Sequence, residues 1–343
     1  MRTFLAVALL VGSLAQAQGL KLPQQSPAAT VSQQVGLTDI TVSYHRPGVG
    51  GRAIWGELVP YGDTWRAGAN ENTTITFSSD AKVEGKAIKA GTYGLHMIPV
   101  KGKDWTVAFS NVSSAWGSFT YDQKEDALRV TVKPHPIDTV EERLSYRFDN
   151  PTDTTVTLVM SWEKLAVPMA ISVETPKVTM ASVRTELRGI LNYDDRAQTA
   201  AADYWLKNGG APDEGLKMVE KAIARRPSYA NLMIKAGFLE KQGKAKDAEE
   251  LRTKAKAIAT ENELNNAAYG LMADKKIDEA IKMFQAVVEK YPDSWNAHDS
   301  LGEALLTKGD KAGAAASYKK ALALAKDPVQ KKRIEGVLAR IGS

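Results

Sequence analysis

The pattern of apolar and polar positions changes once along the chain. Between residues 28 and 175, short segments alternate apolar with polar residues and are rich in β-branched and aromatic side chains, which is typical of strands. Turn-favouring Gly, Pro and Asn residues separate these segments. Many short strands at this spacing predict an all-β antiparallel sandwich or open barrel. The predicted strands are 30–35, 39–44, 73–77, 105–109, 128–132 and 154–162.

From Lys177 onward the chain is rich in Ala, Leu, Lys and Glu, which are strong helix formers. Its segments align on small residues at Gly215, Ala248, Ala280 and Ala314, spaced 33, 32 and 34 residues apart. Each copy predicts a helix, a turn and a second helix. The sequence therefore predicts a multidomain protein, whose second half comprises a connecting helix at 176–195, helical repeats at 196–328 and a cap helix at 329–343.

The last complete copy, residues 295–328, shows the repeat most clearly. Its packing positions are occupied by Leu301, Gly302, Gly309, Ala314, Tyr318 and Ala321. A helix-turn-helix repeat of this length resembles the tetratricopeptide repeat. The resemblance implies an all-α solenoid whose first helices bind extended peptides, and on that basis the candidate partner-binding residues are Lys235, Asn265 and Asn296. The first two copies depart from the pattern at Gly215 and Arg252, which leaves their register open.

The N-terminus has the features of a cleavable export signal. Met1-Arg2-Thr3 is followed by an apolar run over 4–14 and by the small-x-small sequence Ala15-Gln16-Ala17. We expect residues 1–17 to be a signal peptide, the mature chain to start at Gln18, and 18–27 to be an N-terminal extension. The run is about half the length needed to span a bilayer, and no later segment is long and apolar enough to do so, so we expect no integral membrane segment. The signal therefore favours a periplasmic protein, with secretion as the second choice.

Composition narrows the chemistry further. The chain has 343 residues, 43% hydrophobic and 25% charged, which is enough for two folded domains. It has no cysteine, so thiolate metal sites, thiol nucleophiles and lipid attachment through Cys are excluded. The net charge of +5 is not gathered into a tract that interleaves basic and aromatic residues, so we expect no nucleic-acid partner.

The segment over residues 44–71 is dense in Arg, Trp and Gly. Its sequence is YHRPGVGGRAIWGELVPYGDTWRAGANE. It resembles the hallmark of an exported bacterial family known as domain of unknown function 2911, and the resemblance continues through 73–77, 90–95, 116–117 and 161–165. It thus covers about residues 28–174. Members of that family often carry helical repeats after the β domain, but the family implies no established reaction and no cofactor.

The same segment contains the strongest candidate ligand site. Arginines there can present fork-shaped donors to a carboxylate or phosphate, and aromatic side chains can form stacking walls. The candidate ligand-binding residues are Arg46, Arg52, Trp55, Tyr61, Trp65, Arg66, Asn70 and Glu71. In the alternative, structural interpretation the arginines pair with Asp63, Glu57 and Glu71 to hold the loop, and the tryptophans fill the core.

Catalysis is the second hypothesis for this loop. Glu71 would act as general acid or base, with Arg66 stabilising developing negative charge and either Arg66 or His96 within hydrogen-bond reach. The histidines lack metal-ligand spacing, so we expect no metal site, and we interpret His298 as structural. The sequence favours an exported, non-enzymatic binding protein. Its β domain would recognise a small acidic ligand or envelope component and its repeats a protein or peptide; the alternative is a periplasmic hydrolase or transferase.

Overall fold

The computed structural model describes residues 23–342. The chain separates into two compact units that divide between Thr179 and Met180. We refer to them as the β unit and the repeat unit. The expected signal peptide and the expected start at Gln18 lie outside the described residues.

The β unit contains two antiparallel sheets, as the strand-rich pattern predicts. The six-stranded sheet has the order β1-β2-β3-β6-β7-β8 and the four-stranded sheet the order β5-β4-β10-β9. The all-β antiparallel class is therefore confirmed. The strands within residues 23–342 are β1 (Ala28–Val35), β2 (Thr38–His45), β3 (Thr74–Phe77), β4 (Ala81–Val83), β5 (Lys86–Ile88), β6 (Gly91–Ile98), β7 (Trp105–Ser110), β8 (Asp126–Val132), β9 (His135–Asp149) and β10 (Thr155–Val173).

The alternating pattern of β2 explains how the two sheets share one core. Ile40 and Val42 point inward and are fully buried, while Thr41 between them is not. They join one apolar cluster with Leu144 of β9 and Leu158 of β10, which belong to the other sheet. Burial of these side chains from both sheets removes apolar area from water, which is the main force that holds the layers together.

Strand β10 is longer than its sequence pattern predicts. The predicted segment ends at residue 162, whereas the strand continues to Val173. Pro168, which cannot donate to a ladder, lies after the part of β10 that pairs with β9 and before Ile171, where pairing with β4 begins. The register shifts near Glu163, whose φ of 57° marks a bulge. The proline and the bulge interrupt the alternation of apolar and polar residues, so the sequence pattern predicts only the first part of this continuous strand.

The repeat unit is built from helices joined by short turns. Four helix pairs, α2/α3, α4/α5, α6/α7 and α8/α9, are followed by α10, which packs on α9. This confirms the all-α, tetratricopeptide-like class. The helices within residues 23–342 are α1 (Thr175–Glu186), α2 (Asp195–Asn208), α3 (Pro212–Arg225), α4 (Tyr229–Lys241), α5 (Ala245–Ile258), α6 (Glu261–Ala273), α7 (Ile277–Lys290), α8 (Trp295–Lys308), α9 (Lys311–Leu324) and α10 (Pro328–Ile341).

Capping residues mark the first helix of every pair. The side chains of Asp194, Ser228, Thr260 and Ser294 accept hydrogen bonds from backbone N–H groups at the starts of α2, α4, α6 and α8. Ser228 and Thr260 also complete capping boxes. The first two copies, whose register the sequence left open, are therefore complete helix pairs that start at α2 and α4. Within residues 23–342, no helix combines the length and apolarity that crossing a membrane requires.

Candidate functional site

The candidate site is built on the long connection between β2 and β3. Three isolated bridges fasten this connection to the rest of the β unit, pairing Trp65 with Met97, Gly48 with Arg143 and Glu71 with Trp116. The Trp65–Met97 bridge has two backbone hydrogen bonds of 2.8 Å. The loop is therefore held at several points rather than hanging free.

Two non-glycine residues in this loop adopt left-handed backbone conformations. Ala67 has a φ of 52° and Asn70 a φ of 56°, a conformation that costs free energy for residues with a Cβ. The carbonyl oxygen of Ala67 accepts buried hydrogen bonds from Thr73 Oγ1 at 3.1 Å and from Tyr146 Oη at 2.9 Å. Burial raises the pKa of Tyr146, which keeps its hydroxyl a donor. These bonds hold the strained turn beside Arg66.

Three arginines line one cleft of about 500 Å³ in the β unit. They are Arg52, Arg66 and Arg143. Arg52 donates to the carbonyl oxygens of Val49 and Gly48, and Arg143 donates to the backbone carbonyls of Gln25 and Arg46. These neutral acceptors orient the guanidinium groups but do not neutralise their charge.

Arg66 has the least satisfied guanidinium of the three. Its Nε is buried and has no hydrogen-bond partner among residues 23–342. Burial lowers the pKa of Arg66 from its usual value, yet a guanidinium remains charged at neutral pH. The carboxylate in the lining is Glu142, whose Oε1 accepts from the backbone N–H of Gly50 at 2.9 Å. The cleft therefore carries an excess of positive charge.

The structural alternative from the sequence, in which these arginines pair with acids of the same loop, is not what the structure contains. Across the described range 23–342, no ion pair joins Arg46, Arg52 or Arg66 to Glu57, Asp63 or Glu71. Arg46 donates instead to the carbonyl oxygen of Leu144 at 3.0 Å. Arg46 is not part of the cleft lining, so its predicted ligand role is not supported by its position.

The aromatic candidates are divided between the cleft and the core. Trp65 lines the cleft and stacks on Trp162, which sequence analysis missed, with ring centroids 5.8 Å apart. Trp55 packs edge-to-face against both of them and against Trp105, and it does not line the cleft. Tyr61 also lies outside the lining. Trp65 alone of the three predicted aromatic walls is thus in the predicted place.

Asn70 and Glu71 lie at the end of the loop and do not line the arginine cleft. Asn70 Nδ2 donates to Gln24 Oε1 and to the Ser26 carbonyl, each at 3.2 Å, and so fastens the N-terminal segment that lines part of the cleft. Glu71 Oε2 lies 3.3 Å from His45 Nε2, and its side chain is 54% exposed. Its close charged-group contact is therefore with His45, rather than with Arg66 or His96 as the catalytic hypothesis requires.

A second cleft of about 410 Å³ lies next to the first and also contains Arg66. Ser118 lines it, and the Oγ of Ser118 is 2.9 Å from Nδ1 of buried His96. Burial lowers the pKa of His96 to about 4, so the imidazole is neutral at pH 7. Tyr121, another lining residue, donates to Asp126 at 2.6 Å, and this hydrogen bond positions its ring beside His96.

The candidate residues of the repeat unit all lie on first helices of their pairs. Lys235 Nζ forms an ion pair of 2.8 Å with Glu220, and Asn296 Nδ2 donates to Glu261 at 3.2 Å. Asn265 is only 8% exposed, and its Oδ1 has no hydrogen-bond partner within the described chain. Of the three, Asn265 is the one that has a buried side-chain oxygen without a partner in residues 23–342.

The two remaining sequence expectations are a structural role for His298 and the absence of a metal site. His298 Nε2 lies 3.0 Å from the carbonyl oxygen of Pro292, at the start of its own helix. Within residues 23–342, no group of three or more His, Asp or Glu side chains is arranged to hold a metal ion.

Comparison with family models covers most of the β unit and part of the repeat unit. Residues 26–171 match a family described as "Protein of unknown function (DUF2911)", and residues 265–329 match the family described as "Tetratricopeptide repeat". The two matches follow one another along the chain in the expected order. The repeats support a role in protein interaction. A search of curated proteins finds no match to the chain.

Solved structures similar to this chain include several repeat proteins. A crystal structure of MamA has 16% identity and a TM-score of 0.27, with 47% of this chain and 92% of that chain covered. YrrB, described as "a TPR protein with an unusual peptide-binding site", has 20% identity and a TM-score of 0.25, covering 47% and 84%. PilF of Pseudomonas aeruginosa has 19% identity and a TM-score of 0.26, covering 45% and 78%. We infer nothing about partners from TM-scores this low.

Proposed function

We propose that this is an exported, non-enzymatic binding protein. The β unit binds a small anionic ligand in the arginine cleft, and the repeat unit binds a protein or peptide. The observation that carries the first part is the side chain of Arg66, which lines a cleft with two further arginines and whose buried Nε has no partner in residues 23–342.

The electrostatics of the cleft favour an anion. A partly buried cation without an anionic partner is costly, and a bound carboxylate or phosphate would supply that partner through charge-assisted hydrogen bonds. Arg52 and Arg143 add two more planar donor groups, and only Glu142 opposes them in the lining. A cleft of about 500 Å³ has the size typical of a small-molecule site.

Titration of the full-length mature protein with inorganic phosphate and with succinate tests this proposal. Trp65 and Trp162 line the cleft, so we expect binding to change the intrinsic tryptophan fluorescence, and calorimetry gives the affinity independently. Arg66→Met keeps the apolar stem and removes the charge. We expect it to weaken binding by at least about tenfold, as loss of a charge-assisted hydrogen bond does.

Lys133→Ala is the matched control for charge. Lys133 is exposed on the same unit and does not line either cleft, so its removal changes the net charge without changing the site. Equal loss of binding in both variants, or no binding of either anion to the wild type at millimolar concentration, would refute the anion site.

Binding is favoured over the hydrolase alternative by the position of Glu71. A general acid or base must reach the reacting group together with its helpers. The side chain of Glu71 is paired with His45, half-exposed to solvent, and outside both clefts that Arg66 lines.

The repeat unit supplies the second part of the proposal. Asn265 lies on α6, where its buried Oδ1 has no partner among residues 23–342, and Lys235 lies on the preceding first helix, α4. Photo-crosslinking in the producing cells, with the cross-linking residue at position 235 or at the exposed position 254 on α5, tests it. We expect a partner adduct at position 235 that is absent at position 254. Equal labelling at the two positions would contradict binding through the first helices. Intact mass spectrometry of the protein purified from the producing cells tests export, since we expect the mass of a chain that begins at Gln18.

A further inference from the structure

The arginine cleft continues into a second cleft whose lining has a different character. The two clefts share Leu58, Val59, Trp65 and Arg66, so they are adjacent. From this arrangement we infer that the ligand of the β unit is an amphiphilic anion. Its phosphate or carboxylate would lie among the arginines and its apolar tail in the second cleft. The inference rests on the proposed anion site and specifies its ligand class.

The second cleft presents apolar surface to solvent. Phe119 is 84% exposed and Leu58 is 45% exposed. The other apolar or aromatic lining residues are Val59, Pro60, Trp65 and Tyr121, and the uncharged polar ones are Thr64 and Ser118. Exposed side chains of this size leave apolar area in water that a bound chain would cover. Single exposed apolar residues are common on any protein surface, but these lie together beside a cation.

Gly117 shows how close the apolar and cationic groups are. An added Cβ at this residue would lie 2.9 Å from Cε2 of Phe119 and 3.1 Å from Nη1 of Arg66. The ring and the guanidinium group therefore meet over the same glycine. Its φ of 72° is a conformation that glycine adopts without strain, which allows the chain to turn here. A ligand that contacts Arg66 is thereby within reach of the Phe119 ring.

The charged residues that line the two clefts determine which end of the ligand lies in which cleft. Arg52 and Arg143 line the first cleft only, and Asp63 lines the second cleft only. The exposed carboxylate of Asp63 repels an anionic group from the second cleft. The anionic end therefore belongs on the arginine side and the tail on the Phe119 side, with Arg66 at the junction.

The volumes of the clefts indicate a single-chain ligand. The second cleft has about 410 Å³, which accommodates a part of a small molecule rather than a patch of bilayer. We therefore assign a free single-chain alkyl phosphate or carboxylate as the ligand rather than a bilayer lipid.

Calorimetry with three matched probes tests the inference on the full-length mature protein. Inorganic phosphate has the anionic head alone, octyl phosphate has the head and the tail, and octanol has the tail alone. Octyl phosphate is used below the concentration at which it forms micelles, and octanol below its solubility limit. We expect octyl phosphate to bind at least about tenfold more tightly than inorganic phosphate, because burial of a few methylenes supplies this factor. We expect octanol to bind at least about tenfold more weakly than octyl phosphate.

Two variants separate the head from the tail. Phe119→Ser removes apolar surface at an exposed position, so we expect it to reduce the advantage of octyl phosphate several-fold and to leave inorganic phosphate unchanged. Val140→Ser is the control, because Val140 is 47% exposed on β9 and lines neither cleft. Arg66→Met should weaken both phosphates.

The outcomes distinguish this inference from the anion site on which it rests. If inorganic phosphate binds and octyl phosphate binds no more tightly, the amphiphile is refuted and the anion site stands. If octyl phosphate, inorganic phosphate and succinate all fail to bind, both are refuted. Octyl phosphate binding that is insensitive to both Phe119→Ser and Arg66→Met also refutes the inference. So does co-sedimentation with phosphatidylglycerol vesicles without binding of octyl phosphate, since the ligand is then a bilayer surface.

Discussion

Gly215 in α3 is the position where a small substitution gives the sharpest test of the repeat packing. The other copies have Ala at this place, so the sequence pattern alone predicts that Gly215→Ala is harmless. In the structure, a Cβ at Gly215 would lie 2.2 Å from Cζ of Phe238 and within 2.9 Å of two further ring atoms. Phe238 is 1% exposed, so its ring has no solvent to move into.

Two opposing terms decide the effect of Gly215→Ala. Replacing Gly by Ala within a helix gains up to about 1 kcal/mol from intrinsic propensity. Forcing an extra methyl group into a filled core costs about 1–3 kcal/mol, because the neighbours must shift. Since the unrelaxed approach is far below van der Waals contact, we place the cost at the upper end. The expected net loss is about 1–2 kcal/mol of unfolding free energy.

The assay is urea unfolding of the full chain followed by circular dichroism at 222 nm, a signal dominated by the helices. Gly270→Ala in α6 is the matched control, because nothing lies within 4 Å of the added Cβ. We expect it to be neutral or stabilising by up to about 1 kcal/mol. Phe238→Leu shortens the opposing side chain and should recover part of the Gly215→Ala loss in the double variant. Stabilisation of the chain by Gly215→Ala would refute the reasoning.

Three further predictions concern buried polar groups. Burial lowers the pKa of His96 from 6.5 to about 4, so the unfolded chain takes up a proton that the folded chain excludes. The resulting stability is complete above pH 6.5, is lost as the pH falls towards 4, and amounts to about 3 kcal/mol. His96→Gln should flatten this dependence in urea midpoints measured by near-ultraviolet circular dichroism at pH 7 and 4.5; an unchanged slope contradicts it. Tyr146→Phe removes the 2.9 Å hydrogen bond to Ala67 and should lower the stability of the β unit by about 1–2 kcal/mol, read from the same signal. Arg333→Met removes the 2.8 Å partner of buried Asp299 and should cost the repeat unit about 1–2 kcal/mol by urea unfolding at 222 nm, whereas Arg333→Lys should cost less.

The sequence predicted the repeat unit well because its signals are local. The caps Asp194, Ser228, Thr260 and Ser294 lie 34, 32 and 34 residues apart, and each one marks the start of a helix that packs against its neighbour in sequence. The departure at Gly215 follows from the size of Phe238, which the repeat pattern does not include.

The site in the β unit was predicted only in part because its lining comes from distant strands. Arg52, Trp65 and Arg66 lie in the loop that the sequence singled out, and all three line the cleft. Arg143 and Trp162 come from β9 and β10, and antiparallel pairing brings them together in a way that no local pattern encodes. The pattern of a loop also does not tell which of its aromatics face a cleft.

The way the arginines are held explains why their charge stays available. Arg52 and Arg143 donate to backbone carbonyls, and the turn beside Arg66 is fixed by the buried hydrogen bonds to Ala67. Had carboxylates fixed these side chains instead, an incoming anion would have to displace them and leave them unpaired. Carbonyl acceptors hold the geometry without competing for the charge. The cleft is therefore preorganised, and an anion that enters it does not bear the entropy cost of ordering the loop.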